Sequence, residues 1–553
     1  MLRQVRKSGL EVRAFLRAAV ILTCISCTGR FAIALSCQVT HHGTPTEAYT
    51  AFLKGDDAKA ETLYRAGLAA NSADTDLTAG LVYTLLDEQK VGEAADLVTT
   101  DLEGSPHSAE LLTLRGYVEF QQGVPWTALE TANEAAKLDP CNAQTQMLFA
   151  FLLSLNSMSA SMRDHIAIAH QLDPDNPHFR LSWISTLPPA QRLPELEAFQ
   201  KEGIPQSDDG LQTLSNLIDD TRRQVADPSK RCHLVTAVKA AEIPYDYRGL
   251  EMKLNGHAFS LLFNGYASGI VVNSDTARLA GLEPISKSSP VSGNPKTVKQ
   301  YGAVVDSIRV GDLEFQNCVV NVADNSSFPG GIVGFAGLGV FSHFLVTMDY
   351  PAHKLLLSPL PQRPGKDSAV QRLDTASEAE GQAEDSADPN SDTEKARTTG
   401  DKQTERFSDR YIAPEMGDYS KVYRSGPAFI LPTHLNGKSI KLFILGPGLS
   451  NTVISPQAAA DVTKVDDHPL ARREGVFVTS TRFAEAEQVT FQFAHISRQL
   501  VGVPAIDLSR WSKQARMEIS GFIGADLLSG LILHIDFRDG LVKVEKVPTT
   551  AHH

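Results

Sequence analysis

The sequence contains few cysteines for its length. Six occur in 553 residues, and two of them, Cys24 and Cys27, lie within the first 36. The other four are Cys37, Cys141, Cys232 and Cys318. Because these four have no paired spacing, the sequence predicts neither a disulfide framework nor a zinc site, and Cys141 and Cys318 are interpreted as scattered small apolar residues.

The chain also lacks a basic surface and the common catalytic motifs. Its net charge is −13, and no dense block of Lys and Arg follows residue 30, which argues against nucleic acid or an anionic membrane as a partner. The sixteen histidines are scattered, without the helical His-x-x-x-His pair, and no glycine-rich phosphate loop is present. We therefore expect no metal and no cofactor.

The sequence has little sign of a membrane span, since Arg30 interrupts the N-terminal apolar stretch and argues against a helix of about 20 uninterrupted apolar residues, although a retained leader stays open as the alternative. Basic residues precede an apolar stretch at 18–27, and Ala34-Leu35-Ser36 has the small-x-small pattern of a cleavage site. The sequence predicts a signal peptide over residues 1–36 and export to the periplasm or the outside. Cys37 leaves a lipoprotein-type anchor open, although Ala34-Leu35-Ser36 matches that signal poorly, and we expect membrane contact only there.

A period of 34 residues runs through the N-terminal third. It is marked by Pro106, Pro140 and Pro174. Small residues recur where paired helices must approach closely, at Ala60, Ala94, Ala128 and Gly116. This pattern resembles tetratricopeptide repeats, which implies an α-solenoid over residues 44–228.

Such a stack either presents a concave surface to peptides or acts as a rigid spacer. Its aromatic residues include Tyr49, Tyr64, Tyr83, Tyr117 and Trp126. We expect these side chains to pack in the helical core, with a binding groove as the alternative.

From residue 247 the pattern changes to short alternating apolar runs, typical of all-β structure. An apolar strand that enters a tight glycine-bearing loop occurs twice, at 261–268 and 442–455. An Asn-Gly hairpin turn precedes each loop. Each copy then contains a Gly-apolar-apolar-Gly element, Gly331 to Gly334 and Gly521 to Gly524, followed by a final hairpin.

These features resemble the retropepsin-like aspartic proteases. The resemblance implies a multidomain α + β protein in which two all-β barrels, at 247–360 and 423–547, pair about a pseudo-twofold axis. The glycine pairs would then let a strand pass beneath each loop. Residues 361–410 are acidic and poor in large apolar side chains, so we expect a disordered linker there.

Aligned with the family motif Asp-Thr-Gly, both loops lack the catalytic aspartate. Asn264 and Gly446 take its place. The bracing threonine is replaced by Gly265 and Pro447, and the following position holds Tyr266 and Gly448. Ser268 and Ser450 match serines that the resemblance assigns to loop bracing.

Other aspartates are interpreted as structural. Asp275 is placed in the first turn of a short alanine-bearing helix, where the helix dipole favours an acid. Asp526 matches a family position beside the closing glycines, and Asp349 and Asp536 occupy matched hairpin positions, where we expect turn contacts.

The leading functional hypothesis is an exported, non-catalytic protein that binds peptides or a partner protein. One alternative is an aspartic endopeptidase with an atypical or residual active site. Another is a structural scaffold without a ligand.

Overall fold

The computed structural model describes most of the chain. Its described residues are 37–227, 231–235, 240–246, 249–264, 267, 269–285, 289–290, 299–328, 331–363, 409–468 and 483–547. The predicted signal peptide and nearly all of the predicted linker lie outside these ranges. None of the described helices is long and apolar enough to cross a membrane.

Antiparallel helix pairs form the N-terminal third. They are α1 (Glu47–Leu53), α2 (Asp57–Ala70), α3 (Thr75–Asp87), α4 (Val91–Gly104), α5 (Ala109–Gln121), α6 (Pro125–Leu138), α7 (Ala143–Leu155), α8 (Ser159–Leu172), α9 (Pro177–Thr186), α10 (Pro189–Glu202) and α11 (Asp208–Ala226). The first helix of successive pairs is capped at its N-terminus by a polar side chain that recurs every 34 residues. These caps are Asp74, Ser108, Asn142 and Asn176.

The small residues of the repeat have the predicted positions. Ala60, Ala94 and Ala128 lie on α2, α4 and α6 and are completely buried. A Cβ on Gly116 would lie 2.6 Å from Leu148 of the next repeat. The predicted helical solenoid is therefore confirmed.

The helical stack curls until its first repeat meets its last ones. The ring centroids of Phe52 and His178 are 6.1 Å apart. A Cβ on Gly55 would lie 3.5 Å from Ser207, at the start of α11. The first and last helix pairs are therefore in contact.

The remainder of the chain is mainly β-structure. The strands before the linker are β1 (His233–Leu234), β2 (Ala241–Asp246), β3 (Gly249–Leu254), β4 (His257–Asn264), β5 (Ile270–Asn273), β6 (Glu283–Pro284), β7 (Ser289–Pro290), β8 (Lys299–Val310), β9 (Leu313–Ala323), β10 (Gly334–Gly337), β11 (Phe344–Asp349) and β12 (Lys354–Pro359), with α12 (Ser274–Leu279) after β5.

The second set begins after residue 409. It comprises β13 (Ser420–Lys421), β14 (Tyr423–Ser425), β15 (Ala428–Leu435), β16 (Ser439–Leu445), β17 (Val453–Ile454), β18 (Val465–His468), β19 (Phe483–Phe493), β20 (Ile496–Ala505), β21 (Gly521–Ile523), β22 (Leu531–Asp536) and β23 (Leu541–Lys546). Its helices are α13 (Pro456–Ala460), α14 (Ser509–Ala515) and α15 (Ala525–Leu528).

The two sets form matching barrels. The β3–β4 and β15–β16 hairpins both turn on an Asn-Gly pair with positive φ at both residues: Asn255 (+47°) and Gly256 (+87°), and Asn436 (+50°) and Gly437 (+66°). Positive φ at both central residues is what a tight hairpin turn requires. The side-chain oxygens of the two asparagines accept hydrogen bonds from Ser307 and Thr490 of the neighbouring long hairpins.

The barrels pair through six consecutive strands of one larger sheet, in the order β2-β12-β11-β22-β23-β13. Its central contact is the antiparallel pair of β11 with β22. Each barrel contributes three strands at equivalent places, so the predicted pseudo-twofold pairing of two barrels is confirmed.

Two disulfides contradict the prediction of isolated cysteines. Cys37 is bonded to Cys141, and Cys232 to Cys318. The partners are separated by 104 and 86 residues. Because only the folded chain brings such distant positions together, their spacing in the sequence gives no sign of pairing.

The second barrel packs into the helical stack. One continuous apolar core contains Leu85, Leu114 and Leu148 of the helices together with Ile430, Leu442 and Phe522 of the barrel. The backbone N–H of Glu518 donates to the carbonyl of Gln121, at 2.7 Å. The helical solenoid therefore stabilises the second barrel by packing against it.

Both ends of the linker contact one buried carboxylate. Asp539, in the turn before β23, forms an ion pair with Arg363, the last described residue before the linker. On the other side of the linker, the N–H of Tyr411 donates to the same carboxylate at 2.8 Å, and Arg410 donates to the Asp539 carbonyl at 2.8 Å.

Candidate functional site

Strand register shows that the two loops are equivalent. Each follows the second strand of a hairpin, β4 or β16, and each is crossed by a short strand, β10 or β21, that runs parallel to that strand. The same short strand is antiparallel to the strand after the loop, β5 or β17. The loops have the same length, from Asn264 to Ile270 and from Gly446 to Thr452.

This register places Asn264 and Gly446 at equivalent positions. Gly337 of β10 lies beside Asn264. In the second barrel, the N–H of Gly446 donates to the carbonyl of Ile523, the last residue of β21. No Asp or Glu occurs at 261–273 or 442–455, so neither loop carries a carboxylate of its own.

The space beside Gly446 is occupied. A Cβ on Gly446 would lie 2.6 Å from Cδ1 of Leu449, in the same loop. A side chain at this position would therefore require the Leu449 side chain to move. The sequence alone does not show that Leu449 fills the space beside Gly446.

The closing glycines of the first barrel differ from the prediction by three residues. The register makes Gly334 and Gly337 the counterparts of Gly521 and Gly524. A Cβ on Gly337 would lie 1.8 Å from the Ala267 carbonyl oxygen, whereas a Cβ on Gly331 would meet nothing within 4 Å. The repeated Gly-apolar-apolar-Gly motif gave the wrong pair. Glycine is required where the strand approaches the loop closely, and the motif alone does not show where that happens.

In the second barrel, Gly521 and Gly524 both lie against backbone. A Cβ on Gly521 would be 2.5 Å from the Val453 carbonyl oxygen, and one on Gly524 would be 2.5 Å from that of Asn451. This strand therefore passes directly against the loop.

The two loops meet between the barrels. A Cβ on Gly448 would lie 1.9 Å from the carbonyl oxygen of Phe263, so the two backbones are in direct contact. The hydroxyl of Tyr350, from the first barrel, donates to the Pro447 carbonyl at 3.2 Å. Burial raises the pKa of Tyr350 well above its usual range, which keeps this donor protonated.

A partly buried hydrogen-bond network braces the second loop. The carboxylate of Asp526 accepts from the N–H of Thr452 at 2.9 Å and from its hydroxyl at 2.5 Å. The Thr452 hydroxyl oxygen in turn accepts from the N–H of Gly524 at 3.0 Å. Asp526 therefore holds the backbone of the second loop in place. Thr452 was not singled out from the sequence, since nothing there pairs it with Asp526.

The remaining aspartates make structural contacts, which for Asp275 include a hydrogen bond from the side chain of Asn325. Asp349 accepts from the N–H of Ala352, and Asp536 from that of Asp539, each three residues further along. These are the matched turn contacts expected. Asp275 lies in the first turn of α12, next to its cap Asn273, and pairs with Arg278.

The other predicted loop residues divide into two groups. Gly448 and Ser450 are exposed, and Pro447 is buried. The sites of Gly265, Tyr266 and Ser268 lie outside the described residues. Among the residues that the structure describes, no three His, Cys, Asp or Glu side chains are grouped as a metal site.

Comparison with known families identifies part of this architecture. Residues 250–336 match the aspartyl protease family model. The aspartyl protease-like domain therefore covers most of the first barrel, including β3 to β5 and most of β10. No curated protein matches the chain.

Solved structures resemble the two regions separately. A retropepsin-like aspartic protease from Rickettsia conorii is 18% identical, with 22% of this chain and 93% of that one covered and a TM-score of 0.17. A tetratricopeptide protein from Thermus thermophilus is 16% identical, with 32% and 95% covered and a TM-score of 0.26. The helix pairs, the family match at 250–336 and the strand order of the second barrel, which matches that of the first, describe a helical repeat region followed by an aspartyl protease-like domain and a second barrel.

Proposed function

We propose that this chain is an exported, non-catalytic protein that binds a peptide or an extended protein segment between its two barrels. The observation that carries the proposal is the contact of Gly448 with the Phe263 carbonyl. The two loops meet as a paired active site would require. However, the two equivalent positions, at which the resemblance expects the catalytic aspartates, hold Asn264 and Gly446.

Aspartic protease chemistry requires two carboxylates that share one proton, with one acting as base on a water molecule. The amide of Asn264 cannot accept that proton, and Gly446 has no side chain. Leu449 occupies the space where a side chain on Gly446 would begin. A groove between barrels retains strand-edge hydrogen bonding, so it can still hold an extended peptide without the acids.

Export is supported by the basic and apolar leader and by the two disulfides. Disulfides persist in oxidising compartments and are rare in the cytosol. The bond from Cys37 to Cys141 begins immediately after the proposed cleavage site. A lipid on the Cys37 sulfur would exclude that bond, so we favour a mature protein without a lipid anchor.

An aspartic endopeptidase with an atypical site is the second candidate, favoured by the family match at 250–336. A pH-scanned assay on denatured protein substrates, with and without a pepstatin-type inhibitor, separates the two. We expect no inhibitor-sensitive cleavage at any pH. Acid cleavage that the inhibitor blocks would establish the protease instead.

Binding is tested with a peptide-library pull-down on the mature chain. Ser450→Trp places a bulky ring on the exposed loop surface, and Ser497→Trp places the same ring on an exposed position of β20. We expect peptide capture by the wild type and Ser497→Trp, and its loss in Ser450→Trp. Capture by none of the three would favour the scaffold alternative.

A further inference from the structure

The segment that follows the predicted cleavage site is tied to two neighbouring turns of the helical stack. Cys37 is bonded to Cys141, in the turn between α6 and α7. Further along the segment, His41 Nδ1 lies 3.1 Å from a carboxylate oxygen of Asp175, in the turn between α8 and α9. Cys141 and Asp175 occupy the same position in two successive repeats of 34 residues. We call residues 37–42 the latch.

Further hydrogen bonds hold the latch to the second of these turns. The backbone N–H of Thr40 donates to the carbonyl of Leu172 at 2.8 Å. The N–H of His42 donates to the Asp175 carboxylate at 3.1 Å, and its ring Nε2 lies 3.0 Å from Asp173 Oδ2. Asp173 is only 6% exposed, and a carboxylate so nearly buried is costly without partners. The latch therefore supplies partners that this turn needs.

The latch leads directly into the first helix pair, which contacts the last ones. The first helix, α1, begins at Glu47. On this helix the rings of Tyr49 and Phe52 are stacked, with centroids 6.3 Å apart. The centroid of Phe52 lies 6.1 Å from that of His178 on α9. The two ends of the stack are thus joined both by the latch and by this ring contact.

The two disulfides of the chain differ in accessibility. Cys37 and Cys141 are both partly exposed. In contrast, Cys318 is buried, and Cys232 packs against the apolar core of the barrels. A reductant must reach a sulfur atom to break a disulfide, and exposed disulfides are the labile ones. The bond of the latch is therefore the one that a reductant can attack in the folded chain.

We propose that the bond between Cys37 and Cys141 is a reversible redox site that opens and closes the helical stack. A thiolate of a dithiol reductant attacks one sulfur and forms a mixed disulfide with it, while the other sulfur leaves as a thiolate and takes up a proton. The second thiol of the reductant then breaks the mixed disulfide. Both cysteines end as thiols, and the reductant ends as a disulfide.

Reduction removes the covalent anchor of the latch. The latch can then detach from Leu172, Asp173 and Asp175, and the first helix pair separates from the last. The site belongs to the helical stack rather than to the groove between the barrels. It does not depend on the function proposed for that groove.

The first test treats the full mature chain with dithiothreitol in the absence of denaturant and labels the free thiols with iodoacetamide. Mass spectrometry should find Cys37 and Cys141 labelled while Cys232 and Cys318 remain bonded. The second disulfide is thus an internal control for access to sulfur. Failure to reduce the first bond in the folded chain, or equally rapid reduction of both, overturns the proposal.

Hydrogen exchange then measures whether the stack opens. We expect the backbone N–H groups of α1 and α2 to exchange at least about tenfold faster after reduction, because opening no longer has to break the hydrogen bonds of the latch to carboxylates. Exchange in β11 and β22 should not change. Reoxidation should restore slow exchange. Unchanged exchange in α1 and α2, faster exchange throughout the chain, or failure to recover on reoxidation each overturns the proposal.

Variants test the latch without a reductant. Cys37→Ser should exchange as the reduced wild type does, and His42→Ala should change α1 and α2 in the same direction. The matched control is His107→Ala, since His107 is exposed in the turn between α4 and α5, at the repeat position of Cys141. Equal exchange in His42→Ala and His107→Ala would count against the latch. If Cys37→Ser does not fold, the reduced wild type still decides the question.

Discussion

The side chains of Thr347 and His534 meet on the pseudo-twofold axis that relates the two barrels. They are directly opposite in the β11–β22 pair, and Thr347 Oγ1 lies 2.9 Å from His534 Nδ1. Thr347 in the first barrel and His534 in the second occupy equivalent positions, because Asp349 and Asp536 follow them two residues later and make the same turn contact. The register of the β11–β22 pair therefore sets the relative orientation of the two barrels and of their loops.

Restoring the aspartates one at a time should not restore proteolysis. Asn264→Asp alone has no partner carboxylate with which to share a proton. In Asn264→Asp combined with Gly446→Asp, the Leu449 side chain must move to admit the new Cβ, and misplacement of the new carboxylate by about 1 Å can cost about a hundredfold in rate. We expect acid-optimum cleavage only when both loops carry Asp-Thr-Gly, measured on denatured substrate with a pepstatin-type inhibitor. Activity in the single variant would mean that another residue supplies the second carboxylate.

Gly448→Ala should weaken the pairing of the barrels. The added Cβ would overlap the Phe263 carbonyl, and overpacking of this kind typically costs about 1–3 kcal/mol. The matched control is Gly269→Ala in the other loop, where a Cβ meets nothing within 4 Å. Thermal unfolding should show a lower Tm for Gly448→Ala alone. Equal melting of the two variants would argue against a tight loop contact.

Asp536→Asn should stabilise the protein at neutral pH. Burial, followed by the charge of Asp539, raises the pKa of Asp536 from 3.8 to about 6, so ionising this carboxyl costs the folded state. The cost is fully present above about pH 6 and disappears as the pH falls below about 4. The expected gain is about 3 kcal/mol at pH 7–8.

The pH profile is measured by denaturant unfolding from pH 4 to pH 8. Asp349→Asn, at the matched and partly exposed hairpin position, is the control and should show no comparable gain. A gain for Asp536→Asn that persists undiminished at pH 4 would assign the effect to packing rather than to ionisation.

Peptide mapping without reduction should recover Cys37 linked to Cys141 and Cys232 linked to Cys318. Closing loops of 104 and 86 residues is worth about 4–5 kcal/mol each in the chain-entropy model, so reduction should lower the Tm substantially. A lipid-modified Cys37 peptide in the mass spectrum would contradict both the first bond and the unanchored form.

Local patterns in the sequence were sufficient for much of this architecture. The 34-residue recurrence predicts the solenoid because each repeat uses the same small residues, such as Ala94 and Ala128, at its tightest contact. The Asn-Gly turns at Asn255 and Asn436 predict hairpins because their positive φ depends only on local chemistry. Asn264 and Gly446 could be paired by aligning the loop residues that follow them, Ala267 and Ser268 or Gly448 and Ser450, with the family motif.

What could not be predicted depends on contacts between distant residues. The disulfide partners are far apart in the chain. Gly337 became distinguishable from Gly331 only when its closeness to the Ala267 carbonyl was known.

The contacts of Asp539 bear on how freely the middle of this protein can change in evolution. Because Arg363 and Tyr411 are held by one carboxylate, the intervening sequence begins and ends at the same place, and the barrels are aligned without it. Lengthening a segment closed in this way costs only about 0.6 kcal/mol per doubling. Insertions, deletions and even a break in the polypeptide between these two residues should therefore be tolerated, and the two halves could be encoded as separate chains.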